Sequence, residues 1–110
     1  MLSFSGQVRI FVHAEPVNMK KSFEGLGAII NNIFHAELTT GAYFAFFNRR
    51  RDCIKVLYWD GDGLVIWYKR LEKGSFLQQN LAQGLVERRD FLMLLEGVTP
   101  KRIQCRYRAI

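Results

Sequence analysis

The chain has 110 residues, of which 49% are hydrophobic and 24% charged. That composition excludes a disordered polymer, and the length suits one domain able to build its core without disulfides or metals. Sixteen Lys and Arg against ten Asp and Glu give a formal charge of +6 and a pI near 9.7, a balance that favours an anionic partner such as nucleic acid.

Residues 7–13, QVRIFVH, are rich in β-formers and begin by alternating polar and apolar side chains. They predict a first strand, ended by Glu15-Pro16 because Pro cannot donate to a ladder. The first sixteen residues lack the basic start and unbroken apolar run of a signal peptide, and no run reaches the 18 apolar residues of a membrane span. A cytoplasmic location is expected.

Ser22 stands at the expected N-cap of a helix whose stripe is Phe23, Leu26, Ile29, Ile30, Ile33 and Phe34. Glu24 complements the dipole in its first turn, and Gly25 and Gly27 suggest close packing on a sheet. Residues 42–48 (AYFAFFN) predict strand two, 53–59 (CIKVLYW) strand three and 64–70 (LVIWYKR) strand four. Arg49 to Asp52 form one turn and DGDG at 60–63 the next, the latter a strong hairpin signal. Residues 75–78 offer a short further strand. A second helix is expected over 87–96, with Phe91, Leu92, Leu94 and Leu95 inward, Gly97 as its stop and Pro100 barring continuation. The predicted architecture is a single α+β domain, an antiparallel β-meander of about four to five strands with two helices packed on it. Its core spans about residues 7–99, followed by a basic tail at 100–110 that is either a strand or a loose arm.

A hairpin turning around Gly61-Asp62 sets Trp59 opposite Leu64, Leu57 opposite Ile66 and Lys55 opposite Tyr68. One face then carries Lys55, Leu57, Trp59, Leu64, Ile66, Tyr68 and Arg70, and the other carries Ile54, Val56, Tyr58, Val65, Trp67 and Lys69. The middle of both faces is apolar, so Tyr58 and Trp67 read first as core. Arg49, Arg50, Arg51, Lys55, Lys69 and Arg70 gather at one end, opposed locally by Asp52. Ten of the sixteen cations are Arg, whose planar fork of donors suits phosphate.

The sequence carries no catalytic or metal-binding motif. His13 and His35 stand alone, and Cys53 and Cys105 are far apart, as in a reducing compartment. Asp60 and Asp62 lack the spaced later ligands of a calcium loop and read as turn formers. A binding protein without cofactor or metal is expected, with no catalytic residue.

Four segments together resemble the small accessory protein of the insertion sequence 66 transposon family, usually called TnpB or the second open reading frame. They are QVRIFV at the start, AEPVNMKKSFEGL (14–26), FFNRRRDCIKVLYWDGDGLVIWYKRLEKGSF (46–76) and FLMLLEGV (91–98). The family's first motif falls on Met19, Lys20, Lys21, Phe23, Glu24, Gly25 and Leu26. Its second falls on Arg50, Arg51, Lys55, Leu57, Trp59, Asp60, Gly61 and Gly63, and its third on Tyr68, Lys69, Arg70, Leu71, Glu72, Gly74 and Phe76. Asn18 stands where the family usually has Asp, and Cys53 where it is often polar or charged.

The resemblance implies a helper in transposition beside a separate DDE transposase that holds the catalytic carboxylates. Joined to the basic cluster, it points to DNA, at the transposon ends, and to the transposase as partners. Candidate nucleic-acid contacts are Lys20, Lys21, Arg49, Arg50, Arg51, Lys55, Lys69 and Arg70 for phosphate, with Trp59 and Tyr68 for stacking on unpaired bases. The start of the helix after Lys20-Lys21 could add backbone amides. The competing reading is an interaction module that touches the transposase alone, and a metal-dependent nuclease using Asp60 and Asp62 is the least favoured.

Overall fold

A computed structural model describes residues 8–34, 38–76 and 83–96. One sheet runs β4-β3-β2-β1-β5, from β1 (Ile10–His13), β2 (Tyr43–Phe47), β3 (Cys53–Trp59), β4 (Leu64–Arg70) and β5 (Gly84–Val86). Helix α1 (Phe23–Ile29) continues into a π-helical turn (Ile30–Phe34), and α2 (Arg88–Glu96) follows β5. The α+β class is the expected one, and β2-β3-β4 form an antiparallel meander. Strand β1 instead pairs parallel with β2, Ile10 beside Tyr43 and His13 beside Phe46. The stretch holding α1 supplies the long crossover that two parallel neighbours require. Strand β5 then pairs antiparallel with β1, Ile10 beside Val86 and Val12 beside Gly84.

The hairpin keeps the expected register, with Trp59 opposite Leu64, Leu57 opposite Ile66 and Lys55 opposite Tyr68. Its turn closes through an N–H of Asp60 donated to the Gly63 carbonyl at 2.8 Å, with Gly61 at φ +76°, a conformation easy only without a Cβ.

Every residue of β2 is buried, because the sheet is covered on both faces. Tyr43, Ala45 and Phe47 join Ile10, Val12, Ile54, Val56 and the α2 residues Phe91 and Leu94. Phe44 and Phe46 join Leu57, Leu26 of α1 and Ile30 of the π turn on the other side. The expected α1 stripe is therefore only partly inward. Leu26 and Ile30 are buried, whereas Phe23 and Ile33 are 45% and 50% exposed. A π turn advances fewer degrees per residue than an α turn. Phe34 thus comes round to pack on the core and Ile33 swings away. Ser22 occupies the N-cap position without a side-chain cap bond.

After β4 the chain folds back beside the β2–β3 turn. Leu71 N–H donates to the Asp52 carbonyl and Phe76 N–H to the Arg51 carbonyl, both at 2.7 Å. Phe76 is buried edge-on against Phe47 at 5.8 Å. Ser75 and Phe76 are not strand, and residues 77–78 of that expected element lie outside the described residues. In α2, Phe91 and Leu94 are buried while Leu92 and Leu95 are half-buried. Gly97, Pro100, the basic tail, His35 and Cys105 also lie outside the described residues. No helix among the described residues is long and apolar enough to cross a membrane.

Candidate nucleic-acid interface

Among the described residues, three segments bring cations to one end of the sheet. The first is the β2–β3 turn, built on Asn48. Its carbonyl accepts the Arg51 N–H at 3.1 Å, and its side-chain oxygen accepts the Cys53 N–H at 3.0 Å. Its amide nitrogen donates to the Asp52 carboxylate at 2.6 Å, which, with smaller help from Cys53 and Arg50, holds that carboxyl below its ordinary range. Arg51 takes φ +58°, a left-handed conformation uncommon outside glycine. The turn divides its three arginines. Arg49 and Arg50 are exposed, while the Arg51 guanidinium lies 5.7 Å from the Phe47 ring centroid and donates to the Ala14 carbonyl at 3.5 Å. Its Nη1 is buried without a hydrogen-bond partner among the described residues.

The second segment is the end of β4. Lys69 and Arg70 are exposed and stand opposite Ile54 and Cys53, so the pleat sends them to opposite faces. Beside Arg70, Tyr68 is 50% exposed and donates its hydroxyl to the Cys53 sulfur at 3.7 Å. That bond is the main reason its pKa is raised, with partial burial and the nearby Cys53 and Asp52 adding to it against Arg70. Tyr68 and Arg70 line an open hollow of 270 Å³.

The third segment is the β1–α1 loop. Val17 N–H donates to the Phe47 carbonyl at 2.8 Å, tying the loop to the end of β2. Asn18 then shapes a turn, its side-chain oxygen accepting the Lys20 N–H at 2.8 Å and its carbonyl the Lys21 N–H at 3.0 Å. An Asp could accept the same bond, so the Asn at this position keeps the turn without the charge. Lys20 and Lys21 are exposed, and Pro16, Val17, Asn18 and Arg49 line a hollow of 310 Å³ between loop and turn.

Lys55 holds the loop down from below. It is 7% exposed and its ammonium donates to the carbonyls of Met19 at 2.7 Å and Lys21 at 2.8 Å. The same nitrogen sits 4.9 Å from the Tyr68 ring centroid. Two carbonyls and a ring face thus satisfy the compact ammonium inside the protein. Trp59 shares the face of Lys55 but stands at the far end of β3, beside the acidic turn. Six strand positions separate it from Cys53, a distance on the order of 20 Å. Trp67 packs with Tyr58 against the α2-side core. Among the described residues no three His, Cys, Asp or Glu side chains gather where they could hold a metal ion.

The family model described as IS66 Orf2 like protein (TnpB_IS66) matches residues 8–105. The chain belongs to the IS66 Orf2-like family. Membership ties it to transposition of insertion sequences as an accessory protein. Two relatives come from Sinorhizobium fredii (strain NBRC 101917 / NGR234). "Uncharacterized protein y4jC" is 29% identical over 94% of this chain and 91% of its own length. "Uncharacterized protein y4hO" is 26% identical over 78% of this chain and 75% of its own. No solved structure matches the chain.

In this IS66 Orf2-like protein, then, the exposed residues Lys20, Lys21, Arg49, Arg50, Tyr68, Lys69 and Arg70 share one end of the sheet. Arg51 and Lys55 lie at the same end with their charges turned inward. Asn18 and Asn48, which shape the loop and the turn, are absent from the sequence-based site. The available signal was Asn ahead of a cationic run, a residue that bonds its own backbone two residues on.

Proposed function

We propose that this transposition accessory protein binds DNA through the basic end of its sheet, without catalysing strand cleavage or joining itself. The observation that carries the reading is the convergence of exposed cations from three separate segments: Lys20 and Lys21, Arg49 and Arg50, Lys69 and Arg70. Such a cluster neutralises phosphates and releases counterions. Tyr68, half-exposed beside Arg70, offers a stacking surface for an unpaired base. Arg51 and Lys55 serve as positioning residues, one fixing the turn and the other the loop. Trp59 lies outside this surface.

The test is a titration of duplex and single-stranded DNA at several salt concentrations with the wild type and the Arg49→Ala/Arg50→Ala variant. Arg51 is left intact because its side chain packs inside. Wild-type affinity should fall with salt, and removing two phosphate contacts should flatten the log–log slope by about 2. Absence of binding at low salt, or an unchanged slope in the variant, would overturn the reading.

A second reading has its own observation. Phe23 and Ile33 are exposed apolar residues on α1 and the π turn, a surface suited to another protein such as the transposase. Binding of purified transposase that survives Arg49→Ala/Arg50→Ala and is lost in Phe23→Ser/Ile33→Ser would favour it.

A further inference from the structure

Strand β4 is an edge of the sheet, and the direction of its backbone groups follows from two bonds. Leu71 N–H donates to the Asp52 carbonyl beyond one end of the hairpin ladder, and Asp60 N–H donates to the Gly63 carbonyl beyond the other. Bonded and non-bonded pairs alternate in an antiparallel ladder. The bonded pairs are therefore Tyr58–Val65, Val56–Trp67 and Ile54–Lys69. Leu64, Ile66, Tyr68 and Arg70 turn their N–H and C=O groups away from β3. Among the described residues no strand pairs with them.

Edge strands of monomers are usually blunted by shortness, Pro, a bulge or a mid-strand charge. Strand β5, the opposite edge, has three residues. Strand β4 has seven in unbroken register, with neither Pro nor Gly, and its first five side chains are uncharged. Its charges are polarised along its length. Asp60 and Asp62 precede it, Lys69 and Arg70 end it, and Lys73 lies beyond, with Glu72, and Asp52 across the ladder, as acids at that end.

We propose that β4 pairs antiparallel with β4 of a second copy of this chain, about a twofold axis at Ile66, joining two sheets into one. Leu64 then faces Tyr68 of the second copy, and the turn that carries Asp62 lies beside its Arg70. The outward N–H and C=O groups meet complementary ones, and each acidic end lies against a basic end. A parallel copy would set like charges side by side. An extended segment of a different protein would find the same open backbone groups, but the reversal of charge along β4 matches an antiparallel copy of itself. The inference does not rest on DNA binding and is tested without nucleic acid.

The experiment is sedimentation equilibrium of the full chain from micromolar to submillimolar concentration, with far-UV circular dichroism on each variant. The wild type should show a monomer–dimer equilibrium. Ile66→Pro removes an N–H that points outward and leaves the β3–β4 ladder intact, so it should fold and sediment as a monomer. Asp62→Lys and Arg70→Asp should each weaken the dimer about tenfold, since two symmetry-related contacts become repulsive, and their combination should restore it. If Ile66→Pro does not fold, the charge reversals and their rescue decide. A monomer at every wild-type concentration overturns the proposal. So does a dimer unaffected by either charge reversal.

Discussion

Replacing Lys55 with Met removes the ammonium but keeps an unbranched stem of similar length among the same neighbours. The structure assigns three interactions to that nitrogen: donations to Met19 and Lys21 carbonyls at 2.7 and 2.8 Å, and the face of Tyr68 at 4.9 Å. Hydrogen bonds from a charged group contribute about 1.5–3 kcal/mol each and a partly desolvated cation–ring contact about 1 kcal/mol. Relief of the cost of burying the charge offsets part of this, and the two carbonyls, in an exposed loop, regain water. A net loss of about 3 kcal/mol is the expected outcome. At the unfolding entropy typical of a chain this long, that lowers Tm by roughly 13 °C. The assay is thermal unfolding followed by circular dichroism, with proteolysis of the 14–22 loop as the local readout. Faster cleavage there, together with the lower Tm, is expected. An unchanged Tm with weakened DNA binding would refute the reasoning, because it would make Lys55 a surface phosphate contact.

Three other predictions concern neighbouring groups. His13 is buried between Phe34 and Phe46, and burial lowers its pKa below the ordinary 6.5, against a smaller opposing effect of Glu15. The unfolded chain therefore binds the extra proton first, so stability should fall as pH drops below about 6.5 and His13→Gln should flatten that dependence in urea titrations at pH 7 and 5.5. At the left-handed Arg51, Arg51→Gly should be less destabilising than Arg51→Ala by about 1 kcal/mol in denaturant unfolding, since both lose the Phe47 contact but only Gly escapes the backbone strain. Cys53→Ala should bring the Tyr68 titration back toward the ordinary tyrosine range, read by ultraviolet absorbance, because the sulfur is the main cause of its raised pKa.

The β3–β4 hairpin was legible because an Asp-Gly turn between two runs rich in β-formers fixes register locally, and register fixes which side chains share a face. The helix was legible in position but not in phase. Nothing in INNIF announces a π turn, and that turn moved Ile33 out of the stripe the sequence suggested. The parallel pairing of β1 was hidden because strand composition does not encode direction. Strand β5 was hidden because a three-residue Gly-Leu-Val run becomes a strand only by lying against Phe11 and its neighbours. The cations of the site were visible as residue types. Their division was not, because the burial of Lys55 and the inward turn of Arg51 depend on a loop more than thirty residues away in the chain.

The placement of β1 between β2 and β5 bears on the order in which the protein assembles during synthesis. The β2-β3-β4 meander joins neighbours in sequence and can close early, whereas β1 must wait for the final third of the chain before its second edge is covered. At about 5–20 residues per second the ribosome needs a few seconds to deliver β5 after β2 has emerged. During that interval Ile10, Phe11 and Val12 present an open ladder, and any product truncated before Gly84 keeps it. Premature termination in this reading frame should therefore yield a sticky, aggregation-prone fragment and not a smaller working version of the protein.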